Sequence, residues 1–187
     1  MVTGAEFMRA VYGAWRLALL DRKGLDCFDS TIEAYWKSFN AAVIVAPAYA
    51  FLLILRLAEV DARAGWLAVI AVETLAYIIG WVAFPLVMIY VCDRIGRFDR
   101  YLRYIVAHNW SNVIQVALFL AVTILSKGLL GGSYSVLLGL AATAAILFYQ
   151  WFIARTALEV SGGGAAAIVG LDLIISVLIN LVSNRFL

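Results

Sequence analysis

From Ser38 to Leu55 the chain runs 18 residues without a charged side chain. At about 1.5 Å per residue, a helix of that length covers most of a ~30 Å hydrocarbon core. Four further apolar stretches follow: Gly65 to Cys92, Tyr104 to Ser126, Gly128 to Ala154 and Gly162 to Asn184. Composition agrees, with 65% hydrophobic residues, 14% charged residues and a mean hydropathy of +0.97. A soluble domain carries roughly 45–50% apolar and about 25% charged residues, so a water-soluble fold is excluded. The expected fold class is an all-α integral membrane protein with about five transmembrane helices and an N-terminal interfacial amphipathic helix. Residues 1–30 read as a cytoplasmic or interfacial segment and residues 31–187 as one transmembrane domain, because no Pro-, Ser- or charge-rich linker separates two cores.

Residues 4–20 place Phe7, Val11, Trp15 and Leu19 at helical spacing, with Arg9 and Arg16 elsewhere on the wheel. Such a helix either lies in the membrane interface or packs under the bundle. Glu6, Arg9 and Arg16 interrupt any apolar run there, so a cleaved secretory signal is not expected. After the connector DRKGLDCFDS, Ser30 and Glu33 have the spacing of a capping box, which predicts a helix from about residue 31. Tyr35, Trp36 and Lys37 would anchor it at the interface. The second stretch, 28 residues with Glu73 and Pro85 inside it, requires a tilt, a kink or an interfacial end. The fifth, which opens on three glycines and carries Asp172, is either a full span or a re-entrant or peripheral segment.

Ten basic residues fall on one side of this topology: Arg9, Arg16, Arg22, Lys23, Lys37, Arg94, Arg97, Arg100, Arg103 and Arg155. Four fall on the other: Arg56, Arg63, Lys127 and Arg185. The positive-inside rule then puts the N-terminus in the cytoplasm and the C-terminus outside, periplasmic in a bacterial inner membrane. Cys27 and Cys92 lie near the cytoplasmic face without metal-type spacing and are expected to be free thiols.

Ionised groups in hydrocarbon are costly, so Glu73 and Asp172 need partners, water or a neutral form. Tyr77 and Gly80 share a helical face with Glu73. Asp172, Ser176 and Asn180 are spaced by four, with Ser183 close to the same stripe. On the third span, His108, Ser111, Asn112 and Gln115 stand at i, i+3, i+4 and i+7, and Thr123 and Ser126 extend that face. These residues form a candidate intramembrane polar site, read either as a hydrated path or as interhelical hydrogen bonding in a bundle interior. Gly131, Gly132, Gly139, Ala142 and Thr143 narrow the fourth helix into a close-packing surface. Arg155 and Glu159, four apart, predict an ion pair or cap. Arg94, Arg97, Arg100 and Arg103, interleaved with Phe98, Tyr101 and Tyr104, are candidate contacts for anionic lipid headgroups or an ordinary positive-inside loop.

No metal-ligand motif, phosphate-cradling loop or GxSxG element occurs, and there is a single His. Neither a catalytic site nor a metal or cofactor is expected. A net charge of +2 points to no nucleic-acid partner. The absence of two equal halves weighs against an inverted-repeat transporter.

The segments RAVYGAWRLALLDRKGLDCFDSTIEAYWKSF, DRYLRYIVAHNWSNV and FYQWFIARTALEV resemble those of bacterial Yip-domain (Ypt/Rab-interacting protein) membrane proteins. That resemblance implies a cytoplasmic N-terminal region, five clustered spans and a short external C-terminus, and in eukaryotic relatives a link to membrane traffic and shaping. It transfers no catalytic residue. Two functional expectations follow. The first is a non-enzymatic protein that organises the bilayer or scaffolds partners, as a homo-oligomer or accessory subunit. The second is a small channel or transporter whose polar pathway is lined by Glu73, His108, Asn112, Gln115 and Asp172.

Overall fold

The computed structural model describes residues 2–57, 65–128 and 133–186. The side chains of Arg56 and Lys127, together with residues Arg63, Gly131 and Gly132, lie outside what is described. The elements are α1 (Gly4–Ala18), a 3-10 segment (Arg22–Cys27), α2 (Ile32–Ser38), α3 (Asn40–Leu57), α4 (Trp66–Arg94), α5 (Phe98–Gly128), α6 (Ser133–Ala157) and α7 (Gly162–Asn184). Five helical stretches are long and apolar enough to cross a membrane: Ile32–Leu55, Trp66–Arg94, Phe98–Ser126, Ser133–Ala157 and Gly162–Asn184. The chain is an all-α, multi-pass integral membrane protein.

Several boundaries differ from expectation for local reasons. Thr31, not Ser30, caps α2: its hydroxyl accepts from the Ala34 amide at 3.1 Å, while Ser30 Oγ accepts from Arg103 Nε at 3.1 Å. The reciprocal capping box lies instead at α1, between Thr3 and Glu6. Helix α5 begins six residues before Tyr104, so Arg100 and Arg103 stand on its first turns and not in a loop. The turn before it is a Schellman arrangement, with Arg97 N donating to Cys92 O at 2.8 Å and Gly96 at φ 65°, a conformation that suits glycine. Helix α7 runs unbroken through all three glycines, capped by Ser161 onto Gly164 N at 3.1 Å.

The best-packed core sits at one end of the bundle. Leu17, Phe84, Met88, Cys92, Ile105, Ile153 and Leu158 are fully buried there. The α4–α5 turn, the α6–α7 turn and the N-terminal helices meet at this basic end. Arg100 pairs with Glu159, and Arg97 Nη2 lies 3.4 Å from the Glu159 carbonyl oxygen. Glu159 therefore serves Arg100 and not Arg155, whose guanidinium lies 5.1 Å from the centre of the Trp151 ring.

Helix α1 bridges two membrane helices. Phe7 meets Trp110 of α5 at 5.9 Å between ring centroids, and the buried Tyr149 hydroxyl of α6 donates to Ala14 O at 2.7 Å. Its buried stripe is small: Ala10, Gly13 and Ala14, followed by Leu17. The 3-10 segment lies so close that a Cβ on Gly24 would stand 2.6 Å from Gly13 O. Phe7 and Val11 turn partly inward, while Met8, Tyr12, Trp15 and Leu19 form an exposed row. The helix thus both packs on the bundle and presents an apolar outer face. Its charges are satisfied within the chain: Arg9 with Asp29, Arg16 with Asp21 and Glu6 with Lys37.

On α6, a Cβ added at Gly139 would meet nothing within 4 Å and Thr143 is exposed, whereas Ala142 is buried. Within the described chain the small-residue face is therefore largely unused for close packing.

Candidate functional site

Away from the basic end the helices part around a cavity of about 290 Å³. Tyr49 of α3, Glu73, Tyr77, Gly80, Trp81 and Phe84 of α4, His108, Asn109 and Asn112 of α5, Gln150 of α6, and Asp172, Ser176 and Asn180 of α7 all line it. Roughly 10–15 Å³ suffices for one water when polar partners are present, so this space is large enough to be wet.

Glu73 is only 4% exposed and is held from two helices. Tyr49 Oη donates to its Oε2 at 3.2 Å, and Ser183 Oγ lies 3.5 Å from its Oε1. Tyr77, one turn along, is fixed by a 2.6 Å bond from its hydroxyl to Ala42 O. Asp172 differs. It stands near the midpoint of α7, half-buried and facing the cavity, and among the described residues no donor or cation bonds it. His108, 8% exposed, lines the same space with its ring 4.6 Å from that of Phe84, and it makes no ion pair with Asp172 within 4.0 Å.

The Glu73–Ser183 contact sets the relative height of the antiparallel helices α4 and α7. Eleven residues separate Ser183 from Asp172, roughly 16 Å along a helix. Counting the same distance from Glu73 along α4 reaches Phe84, so Asp172 lies level with Phe84 and His108. The polar lining therefore descends from Glu73 and Asn180 near one end of the bundle to Asp172 near mid-span. Below that level the buried residues Phe84, Tyr104 and Ile105 and the bond from Tyr101 Oη to Pro85 O, 3.0 Å, close the interior toward the basic end.

The third-span stripe divides. His108 and Asn112 face the cavity. Ser111 and Gln115 turn to α6, where Gln115 Nε2 donates to Ser111 Oγ at 3.0 Å and Gln150 Nε2 donates to Gln115 Oε1 at 3.1 Å. Gln115 is thus a structural hydrogen-bonding residue and does not line the cavity. Thr123 bonds back to its own helix at Phe119 O, 2.8 Å. Asn180 lines the cavity while its amide also bonds Ser176 O at 2.9 Å.

Sequence reasoning did not single out Tyr49, Trp81, Asn109 or Gln150. Two signals were present: Gln150 is the one amide in the apolar run of α6, and Tyr49 is the one hydroxyl between Ala41 and Leu55. Of the four arginines considered for headgroups, Arg97, Arg100 and Arg103 bond Glu159, Asp99 and Ser30, and Arg94 and Arg103 are exposed. No group of three metal-ligating side chains occurs among the described residues.

Fold and site together define a five-span helical membrane protein with an acidic cavity inside its bundle. The chain matches no protein-family model, no curated protein and no solved structure.

Proposed function

We propose that this protein takes a small cationic or polar solute into its bundle from one side of the membrane, as a small transporter or channel. The observation that carries this reading is Asp172. A carboxylate near the middle of a membrane helix, without a donor among the described residues, is expensive unless a cavity supplies water or a ligand. Closure of the cavity at the basic end favours a site that is reached from one side at a time over an open pore. The distribution of basic residues supports placing the basic end in the cytoplasm of a bacterial cell, so the cavity would load from outside.

Flux of sodium, protons and small organic ions through proteoliposomes tests the proposal. Asp172→Asn and Glu73→Gln should each change flux of at least one of these, while the protein stays monodisperse. Unchanged flux for every solute in both variants refutes it.

The outward row of Met8, Tyr12, Trp15 and Leu19 favours a second role, in which the N-terminal region seats in the lipid interface and organises the bilayer or a partner there. Because the charges of α1 are internally paired, this seating rests on apolar burial and not on anionic lipid. Trp15→Glu with Leu19→Glu should expose α1 to an aqueous quencher in neutral and anionic nanodiscs alike. An effect confined to anionic bilayers contradicts it.

A further inference from the structure

The cavity also carries information about the solute. Among the described residues its lining holds two carboxylates, Glu73 and Asp172, and no Lys or Arg. Glu73 is occupied by Tyr49 and Ser183, so Asp172 is the carboxylate left for a ligand. The α4 side of the cavity is aromatic. Tyr77, Trp81 and Phe84 line it, Trp81 roughly one turn above the level of Asp172, and Tyr49 packs against Tyr77 at 4.7 Å between centroids. Aromatic faces beside a carboxylate favour an alkylated ammonium, because the ring quadrupole attracts a weakly hydrated cation.

A second space adjoins the first. An apolar groove of about 510 Å³ lies between α4 and α7, lined by Leu75, Ile79, Leu178 and Val182, and it shares Ala76 and Ile179 with the polar cavity. An anionic, aromatic chamber thus opens beside a hydrophobic trough. The two match the halves of one kind of molecule.

We infer that the site accepts an amphiphilic organic cation, an alkylammonium whose charged head sits against Asp172, Trp81 and Phe84 and whose apolar tail lies in the α4–α7 groove. This rests on the proposed function and names the substrate class of that same cavity. Among the described residues, His108 is the basic side chain that lines the chamber with Asp172.

Calorimetric titration of the full chain in nanodiscs tests it, with hexyltrimethylammonium, tetramethylammonium and hexanesulfonate as probes. Hexyltrimethylammonium should bind saturably and hexanesulfonate, with the same tail and opposite charge, should not. Asp172→Asn should weaken the cation at least tenfold, and Trp81→Leu by roughly three- to tenfold. Ala76→Leu, which adds bulk at a residue lining both spaces, should weaken hexyltrimethylammonium more than tetramethylammonium. If Asp172→Asn does not fold, Asp172→Glu and the anion comparison decide: binding kept by Glu and denied to the sulfonate supports the inference. Equal binding of the sulfonate, or full affinity in Asp172→Asn, overturns it. Asp172-dependent sodium or proton flux without any alkylammonium binding overturns this inference and leaves the proposed function standing. Absence of both binding and flux removes the two together.

Discussion

Gly24→Ala probes the docking of the N-terminal helices most directly. The new Cβ would lie 2.6 Å from Gly13 O, 2.9 Å from Leu17 Cγ and 3.0 Å from Leu17 N, and ordinary contact begins near 3.4 Å. Two of these three atoms are backbone, so no rotamer change relieves the clash. The 3-10 segment and α1 must separate by about 0.8 Å, the difference between 3.4 and 2.6 Å. A gap of 0.5–1 Å forfeits roughly a quarter to a half of each dispersion contact across it. The contacts at stake include those of Leu17, Ala14 and Phe28, all buried. Overpacking of this kind costs about 1–3 kcal/mol. That raises the undocked population of α1 by about 5-fold to more than 100-fold at equilibrium. Hydrogen–deuterium exchange in nanodiscs reads the change directly: protection of the Ala10–Leu17 amides should fall by that factor while α4 and α7 keep theirs. Gly80→Ala, where the added Cβ meets nothing within 4 Å, is the control and should leave α1 protection unchanged. Native protection of α1 in Gly24→Ala would refute the close approach of the two segments.

Other perturbations have equally definite outcomes. Asn109 Nδ2 donates to Ser38 Oγ at 2.9 Å with both residues buried, so Ser38→Ala should destabilise the bundle by about 1–3 kcal/mol by orphaning the Asn109 amide. A thermal-unfolding midpoint indistinguishable from the parent would contradict that. The Lys37 ammonium, aided by Thr3, pulls the Glu6 carboxyl from 4.5 down to about 2. A depressed carboxylate stabilises fully above its unfolded value and loses that contribution as pH falls through its folded one. Docking of α1 should therefore weaken between about pH 4.5 and pH 2, less so in high salt because the pair is partly open to solvent. Glu6→Gln should remove this acid-sensitive component of α1 fluorescence, and a titration identical to the parent would count against the pair.

Much of the architecture was legible in the chain because lipid imposes a length rule. Five apolar runs can only be helices when no water is present to satisfy their backbone, and the structure places helices at all five. Polar residues such as Glu73, His108 and Asp172 were equally legible as inward-facing, because exposing them to hydrocarbon is costly. Periodicity also marked α1 as amphipathic. It did not reveal which stripe is buried, since Ala10, Gly13 and Ala14 earn that place through close approach and carry little hydrophobic signal.

Tertiary structure alone decided the partners. In a membrane, Leu facing lipid and Leu facing a helix look alike, so the sequence carries weak information about which helices touch. Packing separated His108 and Asn112, which line the cavity, from Ser111 and Gln115, which bond within the α5–α6 interface. It moved Glu159 from its neighbour Arg155 to Arg100, 59 positions away, because the two helix turns meet at the basic end. It also brought Tyr49 and Trp81, unremarkable in an apolar run, beside two carboxylates. The sequence by itself determined which residues must avoid lipid, through the cost of burying charge. Only the packing of five helices decided that Glu73 would be satisfied by hydroxyls while Asp172 would face an open chamber.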